Sequence, residues 1–407
     1  MRRFGWQREI TMPGPVLDEK GLVDPGYSTK EVLTYNRKAI KALPWRIKEW
    51  DFYQIEDVSG RFCLQLTYGH ASYVGQIGVM LFDIKKKEWL VKKSVLIPFP
   101  FGRMHLPESA EKNSRIRTHR GNTYVCFDTK NGVRDLTLRM GDFYCRIVLT
   151  PLIDDALVIT IPFAESEKDF YYNYKKNGMK AEGEIRFTYK GKRKKIVLGG
   201  EPGEKADRSG EMAGKKTAQS GEVSCGSKKH AVPAMGLLDW GRGVWPFSNT
   251  WFWSNGAGYV TEPATKDKSK KGELKKGETK KGETKKDESK KDKKKLFGFN
   301  LGCGFGDTTL ATENILFYEG KTHKLGEVRI VHRSDYMEPW ILRDDDGRLD
   351  LTMTPEFDRI TRDKVAFIDN CTHQVFGKFN GTAVLDDGRV IEIRDLPAFA
   401  EHAVNNW

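Results

Sequence analysis

The sequence predicts an all-β fold, a barrel or sandwich of many short antiparallel strands. Three observations point there. Apolar and polar residues alternate with period two in well-separated segments: Phe62, Leu64, Leu66 and Tyr68 against Arg61, Gln65 and Thr67; Leu136, Leu138 and Met140 against Asp135, Thr137 and Arg139; Ile185, Phe187 and Tyr189 against Glu184, Arg186 and Thr188. Such alternation buries one face of a strand and wets the other. Asp386-Asp387-Gly388 separates two such runs, residues 381–385 and 389–393, which is a hairpin-turn signal. Thirdly, only one stretch carries a clear helix start.

Taken in order, residues 1–27 read as an irregular arm, with turns at Pro13, Pro15 and Asp24-Pro25-Gly26. Ser28-Thr29-Lys30-Glu31 has capping-box spacing and predicts a short N-terminal helix reaching Ile40 and stopping before Pro44. Residues 44–198 form a first β half, in which Val79 to Asp83 and Ala156 to Phe163 are apolar on both faces, as central strands are. Residues 199–231, rich in Gly, Ser, Lys and Glu, read as a polar linker or long loop. Residues 232–407 form a second β half. A low-complexity insert at 262–295, containing KKGELKKGETKKGETKKDESKK, buries too little apolar surface to offset chain entropy.

The net charge of +13 is concentrated in that insert. Residues 266–295 hold 15 Lys and 7 acidic residues, a net of +8, so +5 remains for the other 377 of the 407 residues. The insert reads as a solvated loop between strands; the sharper alternative is a weak contact with an anionic membrane or nucleic acid. The six cysteines are scattered without a CxxC pair, which fits single thiols in a reducing compartment. The arginines of MRRFGWQREI precede no apolar run, so no secretory signal is read there, and no window is long enough to span a membrane. The expected location is cytoplasmic.

Residues 236–253, GLLDWGRGVWPFSNTWFW, hold four tryptophans, an aspartate and an arginine. In a strand–turn–strand arrangement Trp251 and Trp253 share one face, Leu237 and Asp239 another, and Leu238 and Trp240 the opposite one. Gly241-Arg242-Gly243 suggests a bend or bulge that sets Asp239 among indoles and beside Arg242. Burial among indoles raises an aspartate's pKa and equips it as a proton donor, whereas pairing with Arg242 keeps it charged. On the residues alone the Asp239–Arg242 clamp is favoured over the acid.

The motif LDWGRGVWP with its Trp-rich strand resembles the hallmark of an uncharacterised family, domain of unknown function 2804. Similar stretches are RIKEWDFY at 46–53, FNLGCGFGDTTLATENILFYEGKTHKL at 299–325, EPW at 338–340, QVFGKFNG at 374–381 and AFAEHAVNNW at the C-terminus. The likeness covers nearly all of the chain outside the two polar segments and brings no activity with it. More distantly, the Asp-containing segment followed by W-x-W resembles lipocalin-like carotenoid hydratases, AttH-like proteins and tocopherol cyclase. That resemblance implies two lipocalin-like β-barrel halves and, at the position of Asp239, an acid that protonates an isoprenoid double bond. Hydratase segments usually carry a histidine near the aspartate; here Trp240 and Gly241 stand there.

Other candidate groups are weaker. Glu313 and Asn314 precede the apolar run 315–318 and face opposite ways in a strand, so one of them is a candidate to share a cavity with Asp239. Paired with Asp239, Glu313 offers the two carboxylates of glycoside hydrolysis. Gly302-Cys303-Gly304-Phe305-Gly306 lacks dinucleotide-loop spacing and reads as close strand packing. None of the eight histidines has helical metal-site spacing or a cysteine at zinc-finger spacing, so neither a metal nor another cofactor is expected.

Three functions fit these features. The first is a lipocalin-like protein holding an apolar ligand, isoprenoid or lipid-like, in an aromatic cavity walled by Trp240, Trp245, Trp251 and Trp253, with Asp239, Arg242 and Glu313 as candidate catalytic groups and Asn314 as a polar contact. The second is a carbohydrate-binding or carbohydrate-active β-protein that stacks sugars on tryptophans. The third is a structural protein whose tryptophans fill a core. Aromatic pockets serve apolar ligands and sugars alike.

Overall fold

The computed structural model describes residues 7–71, 73–200, 231–262, 293–365 and 368–406. Among them the chain forms two large antiparallel sheets of 13 and nine strands, each a curled half-barrel, with a two-stranded parallel pair, Gly14–Pro15 with Leu33–Thr34, on the N-terminal arm. The path through the larger sheet runs from Glu88–Pro98 through Val74–Asp83, Phe62–Ala71, Ile47–Asp57, Ala234–Val244, Ser166–Tyr189, Phe143–Pro151, Val133–Met140 and Thr123–Lys130 to Ser114–Arg120. The smaller one is centred on Lys293–Cys303, Ser248–Glu262, Val390–Asn406, Ile368–Val384 and Leu349–Val365.

The predicted strands form where the alternation places them. Leu136 and Leu138 are fully buried while Thr137 between them is half-exposed. Leu64, Leu66 and Tyr68 enter the core of the first sheet, but their neighbour Gln65 is buried too, because that face packs on the second sheet. The hairpin closes as expected: Val384 pairs with Val390, Leu385 N donates to the Arg389 carbonyl, and Gly388 takes a positive φ of 81°.

The expected N-terminal helix is absent; among the described residues no α-helix occurs, and residues 37–39 make a single 3-10 turn capped by Asn36. The capping-box side chains are used otherwise. Ser28 Oγ donates to the Lys30 carbonyl at 2.7 Å, and Glu31 accepts from Ser109 Oγ at 2.6 Å and from the Glu111 amide at 3.0 Å. Leu33 and Tyr35 are instead buried against the first sheet's core, so tertiary packing overrides a local signal of one turn.

Sheet membership changes between Val244 and Ser248, not at residue 232. The Ala234–Val244 strand, buried at every residue, is the central strand of the first sheet, paired on one side with Ile47–Asp57 and on the other with Ser166–Tyr189. Of the two polar segments, residues 201–230 and 263–292 lie outside the described residues. Leu198 bridges Val232 across the first, and Lys293–Lys295 of the Lys-rich tract already belong to a strand, opposite Val260–Glu262.

Each sheet encloses its own core, and three smaller clusters join them. One gathers Cys63, Phe82 and Leu237 with Trp253, Phe357, Phe376 and Phe399. Another joins Ile159, Ile161, Tyr171 and Trp245 to Phe305. The third joins Leu157 and Met235 to Leu296, Ile315 and Phe317. Each mixes residues of both sheets, so burial of apolar surface holds the halves face to face.

Candidate functional site

A cavity of about 480 Å³ lies between the two sheets. Register explains its walls, because cross-strand partners point their side chains the same way. In the first sheet Lys175, Asp239, Phe52, Thr67, Gly78 and Ser94 are successive partners across five pairings. In the second sheet Gly302, Trp253, Glu401, Gln374 and Arg359 form the facing row. Trp50, Tyr171, Trp245, Trp251 and Phe305 complete an aromatic lining, and exposed Ser94 and Leu96 mark the rim.

A buried ion cluster closes the inner end. Lys175 Nζ stands 3.5 Å from Asp239 Oδ1, 3.3 Å from Glu313 Oε2 and 4.3 Å from the centre of the Trp253 ring. Burial opposes the charge on Lys175, but the two carboxylates beside it more than compensate and hold its pKa above the usual lysine value. Asp239 Oδ1 also accepts from Asn173 Nδ2 at 2.6 Å, and Oδ2 from Trp50 Nε1 at 3.3 Å. Two hydrogen-bond donors and one cation thus converge on this carboxylate.

Arg242 is not that clamp's partner. The strand runs without register shift through residues 239–244, so Asp239 and Arg242, three apart, face opposite sides of the sheet. Arg242 is fully buried inside the first half-barrel. Its guanidinium donates to Asp51 Oδ1 at 2.8 Å and to the carbonyls of Trp50, Gly241 and Pro107, and it lies 3.8 Å over the Trp240 ring. Trp240 goes with it, edge-on to Tyr35 and Tyr172 in the core and away from the cavity. Gly241 makes no bend. It leaves room for the Trp50 indole, which lies where a Cβ would stand and so reaches Asp239.

Trp245, Trp251 and Trp253 do line the cavity, as does Glu313. Asn314 does not: its Oδ1 accepts from the Gly302 amide at 2.7 Å and its Nδ2 donates to the Gly326 carbonyl at 2.9 Å, bracing the loop that presents Glu313. The Gly-rich run also serves the site, since Gly304 and Gly306 take positive φ of 89° and 69° and turn Phe305 onto Tyr171, Trp245 and Trp251.

Sequence reasoning missed Trp50, Lys175, Arg359 and Glu401. The signal for Lys175 was a cation next to the aromatic run 170–174 in a strand; for Glu401 it was period two, which puts it on one face with Phe399 and Ala403. Glu401 Oε1 accepts from Trp251 Nε1 at 3.1 Å and Oε2 from Gln374 Nε2 at 3.1 Å. Burial pushes its pKa up, with Arg359 and the Trp251 hydrogen bond only partly opposing. Gln374 in turn accepts from Arg359 Nε at 3.0 Å and from Gln65 Nε2 at 2.6 Å, and Gln65 also donates to Gln54 at 2.7 Å. Gln54 ends the chain on Glu56, whose pKa burial raises to about 8. A relay of carboxamides thus crosses between the sheets and joins buried Glu401 to half-buried Glu56.

Behind the cavity wall, Glu49 accepts from Tyr35 at 2.8 Å, lies 3.0 Å from His70 Nε2 and pairs with Arg37. Burial opposes its charge, but these partners and Arg242 win and lower its pKa from 4.5 to about 2. A depressed folded-state pKa stabilises the fold above the unfolded value, and that gain is lost as pH falls from about 4.5 through about 2. Across that window Glu49→Gln is expected to flatten the acid limb of stability by about 3 kcal/mol, read from urea midpoints at successive pH values. Parallel pH profiles for the two proteins would exclude this role for Glu49.

The family described as "Domain of unknown function (DUF2804)" matches residues 7–197 and 215–407. The chain belongs to the DUF2804 family. No curated protein matches the sequence significantly. Among solved structures, the chain is similar to CghA crystallised with Sch210972, at a TM-score of 0.50 and 9% identity over 88% of each chain. It is also similar to a protein designated AttH from Nitrosomonas europaea, at a TM-score of 0.41 and 11% identity, over 89% of this chain and 92% of that one. At such identities the likeness concerns the fold alone. The fold of this DUF2804 chain is two curled antiparallel half-barrel sheets packed face to face. Among its described residues, no helix is long and apolar enough to cross a membrane.

Proposed function

We propose that the protein binds an apolar small molecule, isoprenoid or lipid-like, in the cavity between its sheets, with a polar end of the ligand at the inner ion cluster. The observation that carries this reading is the cavity itself: about 480 Å³, walled by eight aromatic rings, with the Lys175–Asp239–Glu313 ion cluster among them. That is the size class of a drug-sized ligand, and its few convergent polar groups would fix orientation. The CghA structure with Sch210972 lends support at the level of the fold.

Acid chemistry on such a ligand falls to Glu401 rather than Asp239. Burial raises the Glu401 pKa in spite of its partners Trp251, Gln374 and Arg359, whereas Asp239 sits directly against the Lys175 ammonium. Indole faces of Trp251 and Trp253 beside it suit a developing cation. The carbohydrate reading loses its carboxylate pair, because Asp239 and Glu313 both spend their charge on Lys175.

Extracts of the purified protein, analysed by mass spectrometry, are expected to contain a hydrophobic compound. Trp253→Ala is expected to lower its recovery about tenfold, since one stacking ring is worth about 1–1.5 kcal/mol. Recovering no such compound from the wild type, together with no quenching of tryptophan fluorescence by retinol or farnesol, would refute the reading.

A further inference from the structure

The register row beside the cavity row faces the other way. Ile360, His373, His402, Phe252 and Cys303 are successive cross-strand partners, and Phe252 packs on the second sheet's own core. The loop 332–339, between strands Val328–Val331 and Trp340–Asp344, swings His332 and Tyr336 over this row. His332 Nε2 comes to 3.3 Å from His402 Nδ1, and Tyr336 Oη to 2.8 Å from the same nitrogen.

The protonation of this group is constrained by its neighbours. His332 Nδ1 lies 2.5 Å from the Arg333 carbonyl, which can only accept, so Nδ1 carries the hydrogen and Nε2 presents its lone pair to His402. Backbone hydrogen bonding of one imidazole nitrogen is how proteins orient the other toward a metal. The rings are held in place by stacking. His332 packs on Tyr336 and Trp340, with centroids 4.5 Å away in both cases, His402 on Phe252 at 4.3 Å and Tyr336 on His373 at 3.8 Å. His373 is tied in turn to Asp358 at 2.7 Å.

We propose that His332, His402 and Tyr336 form a binding site for one divalent transition-metal ion. Two nitrogens bound tetrahedrally at ~2.0–2.1 Å from zinc stand ~3.3 Å apart, which is the separation found here. Three protein ligands leave a fourth position open. Imidazole with phenolate selects zinc or copper over magnesium or calcium. The site is separate from the ligand cavity, since His402 and its neighbour Glu401 point to opposite faces of one strand. His332 and Tyr336 lie four residues apart, but His402 joins them only through the loop and the register.

The test is titration of the full chain, first dialysed against chelator, with ZnCl₂ and CuCl₂ in a calorimeter. One ion per chain is expected, with a phenolate-to-copper charge-transfer band for Cu²⁺. His332→Ala and Tyr336→Phe should each weaken Zn²⁺ binding about tenfold or more, and Tyr336→Phe should abolish the band while circular dichroism stays unchanged. Replacing Asp345 and Asp346, the exposed members of the Asp344–Asp346 carboxylate cluster suited to a hard cation, should leave Zn²⁺ binding intact. No bound ion, or equal Zn²⁺ binding by wild type and both variants, would overturn the proposal.

Discussion

Replacing Lys175 with methionine is expected to lower folding stability by about 3–5 kcal/mol, the usual cost of stranding buried charges. Lys175 is the shared counter-ion of Asp239 and Glu313, and all three are buried. Without it, two carboxylates face each other across an apolar cavity with only Asn173 and Trp50 left as donors to Asp239. The triple variant Lys175→Met, Asp239→Asn, Glu313→Gln is expected to regain most of the loss, because it removes every charge at once. Urea denaturation of the three proteins measures both quantities. A single variant as stable as the wild type, or a triple variant no better than the single one, would show that the cluster is not a coupled unit. The triple variant also serves function: a folded protein without the ion cluster should keep apolar binding but lose preference for ligands with a polar end.

The second large effect is expected at Arg242, although it plays no part in the cavity. Arg242→Met strands the Asp51 carboxylate and leaves three carbonyls without their donor, at a cost of about 3–5 kcal/mol. Arg242→Lys should recover only part of this, since one ammonium cannot span the fork that reaches Asp51 and the Trp50, Gly241 and Pro107 carbonyls together. Ligand affinity of whatever fraction folds should match the wild type. A variant with wild-type stability and weakened ligand binding would place Arg242 in the site after all and contradict the geometry.

Much of the architecture is legible in the sequence because alternation is a direct imprint of a half-buried sheet. Leu136 to Met140 and the Asp386 to Gly388 hairpin were readable for that reason. So was the shared face of Trp251 and Trp253, which follows from their spacing alone. What failed did so through competition or distance. The capping box at Ser28 and Glu31 is a local preference worth about 1 kcal/mol, and the burial of Leu33 and Tyr35 outweighs it. The Asp239–Arg242 clamp failed because Gly241 and Gly243 were read as a bend, when Gly241 only makes space for Trp50, a residue about 190 positions earlier. Lys175, Glu401 and Arg359 were invisible as a group because only register brings them together. No window of the sequence contains any two of them.

The central place of the Ala234–Val244 strand has a consequence for how the chain is made. Until the ribosome has passed Val244, the Ile47–Asp57 and Ser166–Tyr189 strands each expose an unpaired edge, and nothing yet synthesised is meant to fill the gap. The N-terminal half cannot mature by itself during translation; it waits, open at the seam, for a piece delivered after the long polar stretch has been made.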